Sequence, residues 1–357
     1  MKKVFSACLA LVLVALVFSA CGAQEEIRVL NFGEYIADGK DGLMDVRKEF
    51  RKQTGIRVRY DTVDTNEKLY STLMGKKSYD VIVASDYMLA RLLGEGMLQK
   101  LDYDKIPNFK NIMDEYKNPY FDENQEYTVP YFVGYTGLVY NHKLIFNGNP
   151  DEEVPDGWEA LWDVRNKDER GRGRGLMFDN PRDAFAVAQG LLGYSFNSVN
   201  VAQWEAVAEK IKEQKDVRYG FVVDEIFDIM EKNEAWIATC YPGDYLIMRE
   251  NNKDLRFVYP KETVNFFVDS FAVLKNAQNV DAAHKFIDFM TNGEIALENA
   301  EYVGYASPNI LVVENEEYTW YKNDVLYPAK APEHEVFEDL PQEIRELIVR
   351  LWDDVKK

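Results

Sequence analysis

The chain has 357 residues, 46% of them apolar and 13% aromatic, enough to bury a full core and to divide it between two lobes. Its formal charge of −19 repels phosphate backbones and attracts cations, which argues against nucleic acid as a partner. With no long low-complexity tract, the composition is that of a globular chain rather than a disordered one.

Residues 1–20 open with Lys2 and Lys3, continue as an apolar stretch over 4–17, and end in Phe18-Ser19-Ala20-Cys21. This is the layout of a secretory signal, and the stretch is shorter than the roughly 20 residues a helix needs to cross a bilayer. Cys21 directly after two small residues resembles the site cut by lipoprotein signal peptidase, so Cys21 is expected to carry a lipid; plain secretion with an unmodified Cys21 is the alternative. Cys8 leaves with the signal, and Cys240 then has no partner for an intramolecular disulfide.

Downstream, residues 27–32 read as a strand, and Leu43, Val46, Arg47 and Phe50 follow at helical spacing until Thr54-Gly55. Ile56, Val58 and Tyr60 alternate as a second strand. Asn66 is the predicted cap of a helix that carries Leu69 and Leu73 and ends at Gly75. Residues 79–84 form a short apolar strand, followed by a helix through Leu93. This β-α-β-α-β order predicts a parallel sheet with ligand beyond the carboxyl ends of its strands. Two loops occupy that position: Asn31-Phe32-Gly33-Glu34-Tyr35 and Ala84-Ser85-Asp86-Tyr87.

The pattern recurs. Residues 175–179 read as a strand with Asn180-Pro181-Arg182-Asp183 opening a helix, and 235–240 as a strand leading into Tyr241-Pro242-Gly243-Asp244, which predicts a second α/β lobe. The run Arg170-Gly171-Arg172-Gly173-Arg174-Gly175 is read as a solvated loop. Over 341–355, Ile344, Leu347, Ile348, Leu351 and Trp352 form the apolar face of a last helix expected to dock on a lobe.

Catalysis has little support. His142, His284 and His334 are far apart in sequence and none stands in a ligand or nucleophile-base motif, so neither a metal nor a cofactor is expected. An enzyme would have to use carboxylates drawn from Glu34, Asp183 and Asp269. Asp269 stands in the apolar run 264–274, where a buried charge needs a partner. Glu34 and Asp183 supply further anions, and Phe32, Tyr35, Tyr87, Tyr241 and Phe267 supply aromatic faces. Anions with aromatic walls suit alkylammonium ions, each cation–π contact being worth roughly 0.5–2 kcal/mol.

At these residues the sequence resembles the spermidine/putrescine-binding proteins of bacterial polyamine importers. Beside the loops named above, the matching motifs are Tyr79-Asp80-Val81-Ile82-Val83-Ala84-Ser85-Asp86-Tyr87, Glu95-Gly96-Met97-Leu98-Gln99-Lys100-Leu101-Asp102, Val129-Pro130-Tyr131, Val268-Asp269-Ser270 and Val303-Gly304-Tyr305-Ala306-Ser307-Pro308-Asn309.

The resemblance implies an α/β protein of the type II periplasmic-binding-protein fold, with two lobes hinged about a ligand cleft. Residues 21–133 and 270–315 would form the N-terminal lobe, and 134–269 and 316–357 the C-terminal lobe. It implies a non-enzymatic monomer, periplasmic and held to the cell membrane through the lipid on Cys21, that hands a polyamine to ABC importer permease subunits. Ligand contacts would fall at Phe32, Glu34, Tyr35, Ser85, Tyr87, Asn180, Asp183, Tyr241, Phe267, Asp269 and Tyr305.

Asn180 stands where the spermidine-binding pattern has an acid, and Phe32, Tyr241 and Phe267 where tryptophans are common. Loss of one carboxylate leans the expectation toward the diamine putrescine, with Asp179 as a neighbour that could compensate. The alternatives are another solute on the same fold, such as a sugar or an iron complex held by Tyr87 and Tyr241, and a surface-anchored carboxylate hydrolase.

Overall fold

The computed structural model describes residues 25–40, 42–145, 155–318, 320 and 323–357. Cys21 and the signal segment lie outside these residues, so the expected lipidation has no structural counterpart here.

Two sheets organise the chain. The first contains β1 (Glu26–Phe32), β2 (Arg57–Val63), β3 (Val81–Ala84), β4 (Thr128–Tyr135), β10 (Val264–Val273) and β11 (His334–Val336) in the order β11-β10-β3-β1-β2, with β4 paired to β10. The second contains β5 (Gly137–Asn141), β6 (Gly175–Phe178), β7 (Arg218–Val222), β8 (Ile237–Cys240) and β9 (Leu255–Val258) in the order β7-β6-β8-β5-β9. As the sequence predicts, β1 runs parallel to β2 and β3; in the second sheet β6 runs parallel to β8 and also to β7, a strand the sequence reading did not single out. Neither sheet is purely parallel, however. β10 enters antiparallel between β3 and β4, and β5 pairs antiparallel with both β8 and β9.

Each sheet is covered on both faces, which explains the unbroken apolar runs of β3 (VIVA) and β8 (IATC), every residue of which is buried. Around the first sheet, Ile27, Val29, Phe50, Phe271 and Phe286 pack on one side, and Leu30, Ile82, Leu89 and Ala272 on the other. Around the second, Leu138, Met177, Phe185, Trp204 and Ile237 form one layer, and Val139, Leu176, Ala238 and Met248 the opposite one. Burying each of the Val, Leu, Ile, Phe and Met side chains among them stabilises by roughly 1.5–3 kcal/mol.

Most predicted helices form, with local corrections at their ends. The helix Val46–Thr54 stops at Gly55, whose left-handed φ of 77° suits glycine. The helix Asn66–Leu73 is capped by Thr65, whose hydroxyl accepts from the first-turn backbone amide of Lys68. Asn66 instead turns its amide toward Ser85, a tertiary bond that the capping pattern does not reveal. That helix ends on Met74 rather than Gly75.

The Arg170–Gly175 run is a loop in which Arg170, Arg172 and Arg174 all converge on Asp168. Helix Gln342–Val355 docks on the second lobe, its Trp352 ring 5.8 Å from Phe185 and 4.8 Å from Phe221. Trp352→Ala should therefore destabilise the protein by about 3 kcal/mol, read as a lower urea midpoint with little change in ligand affinity. An unchanged midpoint would mean that the helix adds nothing to the lobe.

Chain crossings between the sheets lie at Thr136, between β4 and β5, and over 259–263, between β9 and β10. The expected breaks at 133/134 and 269/270 fall inside β4 and β10, both strands of the first sheet. The two crossings are tied together: Thr136 donates its amide to the Asn265 carbonyl (2.9 Å), and its hydroxyl accepts from the Asn265 amide (3.2 Å).

Candidate functional site

The carboxyl ends of β1, β3, β6, β7 and β8 face one cleft, as open α/β sheets require of a ligand site. Counted out to its open mouth, the cleft encloses about 1210 Å³. Phe32, Glu34, Tyr35, Ser85, Tyr87, Phe267, Asp269 and Tyr305 line it together with Asn180, Asp183 and Tyr241 from the β6 and β8 ends. Every predicted contact thus reaches the same cleft, but not in the same role.

Asp269 is the centre of one wall. It is 5% exposed, and its carboxylate accepts from the Tyr35 hydroxyl (2.5 Å) and the Ser85 hydroxyl (2.6 Å). Asn66 donates to Ser85 Oγ in turn (3.0 Å). A register shift at Asp269/Ser270 opposes β4 where Pro130 has no N–H to offer the ladder; such irregularities re-aim side chains. Burial pushes the Asp269 carboxyl up to about 6, against the opposing pull of the two hydroxyls. Behind it, buried Asp86 accepts from the amides of Tyr87 and Val268 and is pushed up to about 8 by burial.

Asp183 faces from the second lobe, in the first turn of helix Pro181–Leu192, and is 6% exposed. Its Oδ2 accepts from the Tyr241 hydroxyl (3.0 Å), while its buried Oδ1 has no partner among the described residues. Burial pushes this carboxyl up to about 7. The rings of Tyr241, Phe267 and Tyr305 stand 5.6–6.1 Å apart, and Tyr35 meets Tyr305 edge-on at 5.5 Å, so the acids are joined by an aromatic enclosure.

Other expected contacts are engaged elsewhere. Glu34 is exposed at the rim, with a left-handed backbone (φ 47°), and its carboxylate takes the Tyr302 hydroxyl and Lys40. That separates it from Asp183 and Asp269 as one member of a buried catalytic pair. The Asn180 side chain caps helix Pro181–Leu192 through the Arg182 amide, and Asp179 is held by Lys356 at 2.6 Å, so neither supplies a free anion. The Tyr87 and Tyr241 hydroxyls donate to Glu67 and Asp183, and both are pushed up by burial and those carboxylates, away from the tyrosinate form an iron complex would require.

The sequence reading missed Asp244 and Asn265. Asp244 follows β8, accepts from the Tyr305 hydroxyl (3.2 Å) and is pushed up to about 7 by burial. It stands on the first turn of helix Pro242–Asn251, in the Tyr241–Asp244 segment that the strand pattern already marks, and asking which acids follow each strand would have found it. Asn265 lines the cleft from β10 with an orphaned buried Oδ1, and nothing in a run of apolar neighbours signals that. The orphaned oxygens of Asp183 and Asn265 are both acceptors. A ligand rich in N–H donors and poor in acceptors satisfies them, and a cation also neutralises the buried acids.

The family profile of bacterial extracellular solute-binding proteins matches residues 45–329. The spermidine/putrescine-binding periplasmic protein of Salmonella typhimurium is 33% identical over 87% of this chain and 86% of its own length. A putrescine-binding periplasmic protein of Pseudomonas aeruginosa is 28% identical over 100% of this chain and 99% of its own. Among solved structures, the spermidine/putrescine ABC transporter substrate-binding protein of Streptococcus pneumoniae superposes with a TM-score of 0.74 at 31% identity, covering 93% of this chain and 100% of that one. A candidate spermidine/putrescine ABC transporter protein of Listeria monocytogenes gives a TM-score of 0.84 at 33% identity, covering 93% and 99%. With the two-lobed α/β cleft they share, these matches place the chain in the bacterial extracellular solute-binding protein family, whose members bind solutes for transport.

Proposed function

We propose that this chain captures an aliphatic polyamine, putrescine or spermidine, in the cleft between its lobes and delivers it to an ABC importer. The observation that carries the reading is that the orphaned buried atoms of the cleft, Asp183 Oδ1 and Asn265 Oδ1, are acceptors set among acids and rings. One ammonium would pair with Asp269 and another with Asp183 or Asp244, while Tyr241, Phe267 and Tyr305 enclose the methylenes. The protein binds without turnover, sits in the periplasm, and is held to the membrane through a lipid on Cys21. The hinge lies at Thr136 and 259–263, and ligand favours the closed form because only that form brings both sets of acids to it.

Calorimetric titration of the ligand-stripped mature protein should give about one polyamine per chain; silence with putrescine and spermidine alike would refute the assignment. A second test uses Gly243, on the first turn of helix Pro242–Asn251. A Cβ there would lie 2.1 Å from the Tyr305 ring and 2.8 Å from the Gly304 carbonyl. Gly243→Ala should therefore oppose closure and weaken polyamine binding by about tenfold or more, as the loss of about 1.4 kcal/mol would. Wild-type affinity in this variant would show that the Gly243–Tyr305 contact is not part of the bound state.

A further inference from the structure

Arg182 is a cation built into a wall of acids and rings. It is 5% exposed, on the first turn of helix Pro181–Leu192, next to Asp183. Its guanidinium lies 4.6 Å from the ring centroid of Phe337, 5.4 Å from Tyr87 and 6.0 Å from Trp204. Its side-chain hydrogen bonds are long and go to neutral acceptors, Asn197 Oδ1 at 3.3 Å and the Glu338 carbonyl at 3.5 Å, and among the described residues it forms no salt bridge. A guanidinium that stays charged without a carboxylate in contact spreads its field over its surroundings instead of spending it on one partner. Glu67, Asp86 and Asp183 all feel that field, which opposes the effect of burial on each of them. Two of the rings it covers, Tyr87 and Phe337, line the cleft.

We propose that Arg182 is a specificity-determining residue, a resident cation at the Tyr87–Phe337 end of the cleft that limits the charge of the ligand and so favours a diammonium over a triammonium. The proposal rests on the polyamine reading above. The physical reason is that the acids near Tyr87 are already partly balanced, and the Tyr87 and Phe337 rings already face one cation. A third ammonium reaching that end would meet repulsion from the guanidinium. Asp269 and Asp244 have no resident cation of this kind in contact: they accept from Tyr35, Ser85 and Tyr305 hydroxyls.

The test is the ratio of putrescine to spermidine affinity, measured by calorimetry on wild type, Arg182→Lys and Arg182→Met. Wild type should prefer putrescine. The methionine variant keeps an apolar stem against the rings and removes the charge, and it should shift the ratio toward spermidine by tenfold or more; the lysine variant should hold the wild-type preference. The proposal is overturned if Arg182→Met binds both amines with the wild-type ratio. Should that variant fail to fold, wild type still decides, since a wild-type preference for spermidine overturns the proposal while leaving the polyamine reading intact. No binding of either amine to wild type would remove the polyamine reading itself, and this proposal with it.

Discussion

Asp269→Asn should lower polyamine affinity by about a hundredfold or more while leaving the protein folded. Breaking a buried, hydrogen-bonded charge pair costs about 2–5 kcal/mol, and each 1.4 kcal/mol is about a factor of ten. Asn is nearly isosteric, and its amide oxygen can still accept from the Tyr35 or Ser85 hydroxyl, so the wall stays in place while the charge goes. Stability should move the other way. Burial raises the Asp269 carboxyl, so ionising it works against the fold, and the ligand-free variant should melt higher than wild type at pH 8. At pH 4 both proteins carry a neutral group there and the difference should vanish. Wild-type affinity in Asp269→Asn, measured by calorimetry, would exclude this carboxylate as an ammonium anchor.

Affinity should climb steeply between about pH 5.5 and 8, with protons released on binding. Asp269 is raised to about 6 and Asp183 and Asp244 to about 7, so at pH 6 much of the empty cleft is protonated, whereas an ammonium ligand requires the carboxylates. Binding therefore expels protons, and a ligand whose binding expels protons binds more tightly as pH rises.

For folding the sign is opposite. The folded state holds these protons at pH values where the unfolded carboxyls, near 4, have lost them. The stability they contribute is fully present below about pH 4 and is lost as pH rises through 6 to 7, so the ligand-free protein should melt lower at pH 7.5 than at pH 5.5 as far as these groups decide it. The stabilisation given by added polyamine should grow over the same range. Calorimetry in buffers of different ionisation enthalpy counts the released protons directly. An affinity flat from pH 5.5 to 8 would mean that these acids are ionised before ligand arrives.

Several parts of this arrangement are local and therefore legible in the sequence. Apolar runs such as 81–84 and 237–240, bounded by helix-start residues, mark buried strands, because a strand covered on both faces needs no polar alternation. The loops after them identify the cleft, because helices alternating with strands leave only the carboxyl ends open to a ligand. The apolar stripe of 341–355 likewise announces a docked helix. Antiparallel β10 escaped that logic, since its partners β3 and β4 come from more than a hundred residues earlier and pairing over such distance leaves no local period.

Chemistry at the site divides in the same way. Residue types and strand ends are written in the chain, so the acids, the rings and their common rim follow from sequence alone. Which acid is unshared is a matter of three-dimensional neighbours. Glu34 and Asp183 look alike as anions near a strand end, but Lys40 and Tyr302 reach Glu34 at the surface, while Asp183 is buried with one oxygen unmet. Asp179 looks free until helix Gln342–Val355 delivers Lys356 to it, and Arg182 looks like a helix-start residue until Tyr87, Trp204 and Phe337 gather round its charge. The sequence by itself determined the fold class and the cleft with its acids and rings, because composition and periodicity are properties of the chain. Only the tertiary structure decided which charges are paired, buried or orphaned, because desolvation and pairing depend on groups that meet only when distant segments pack.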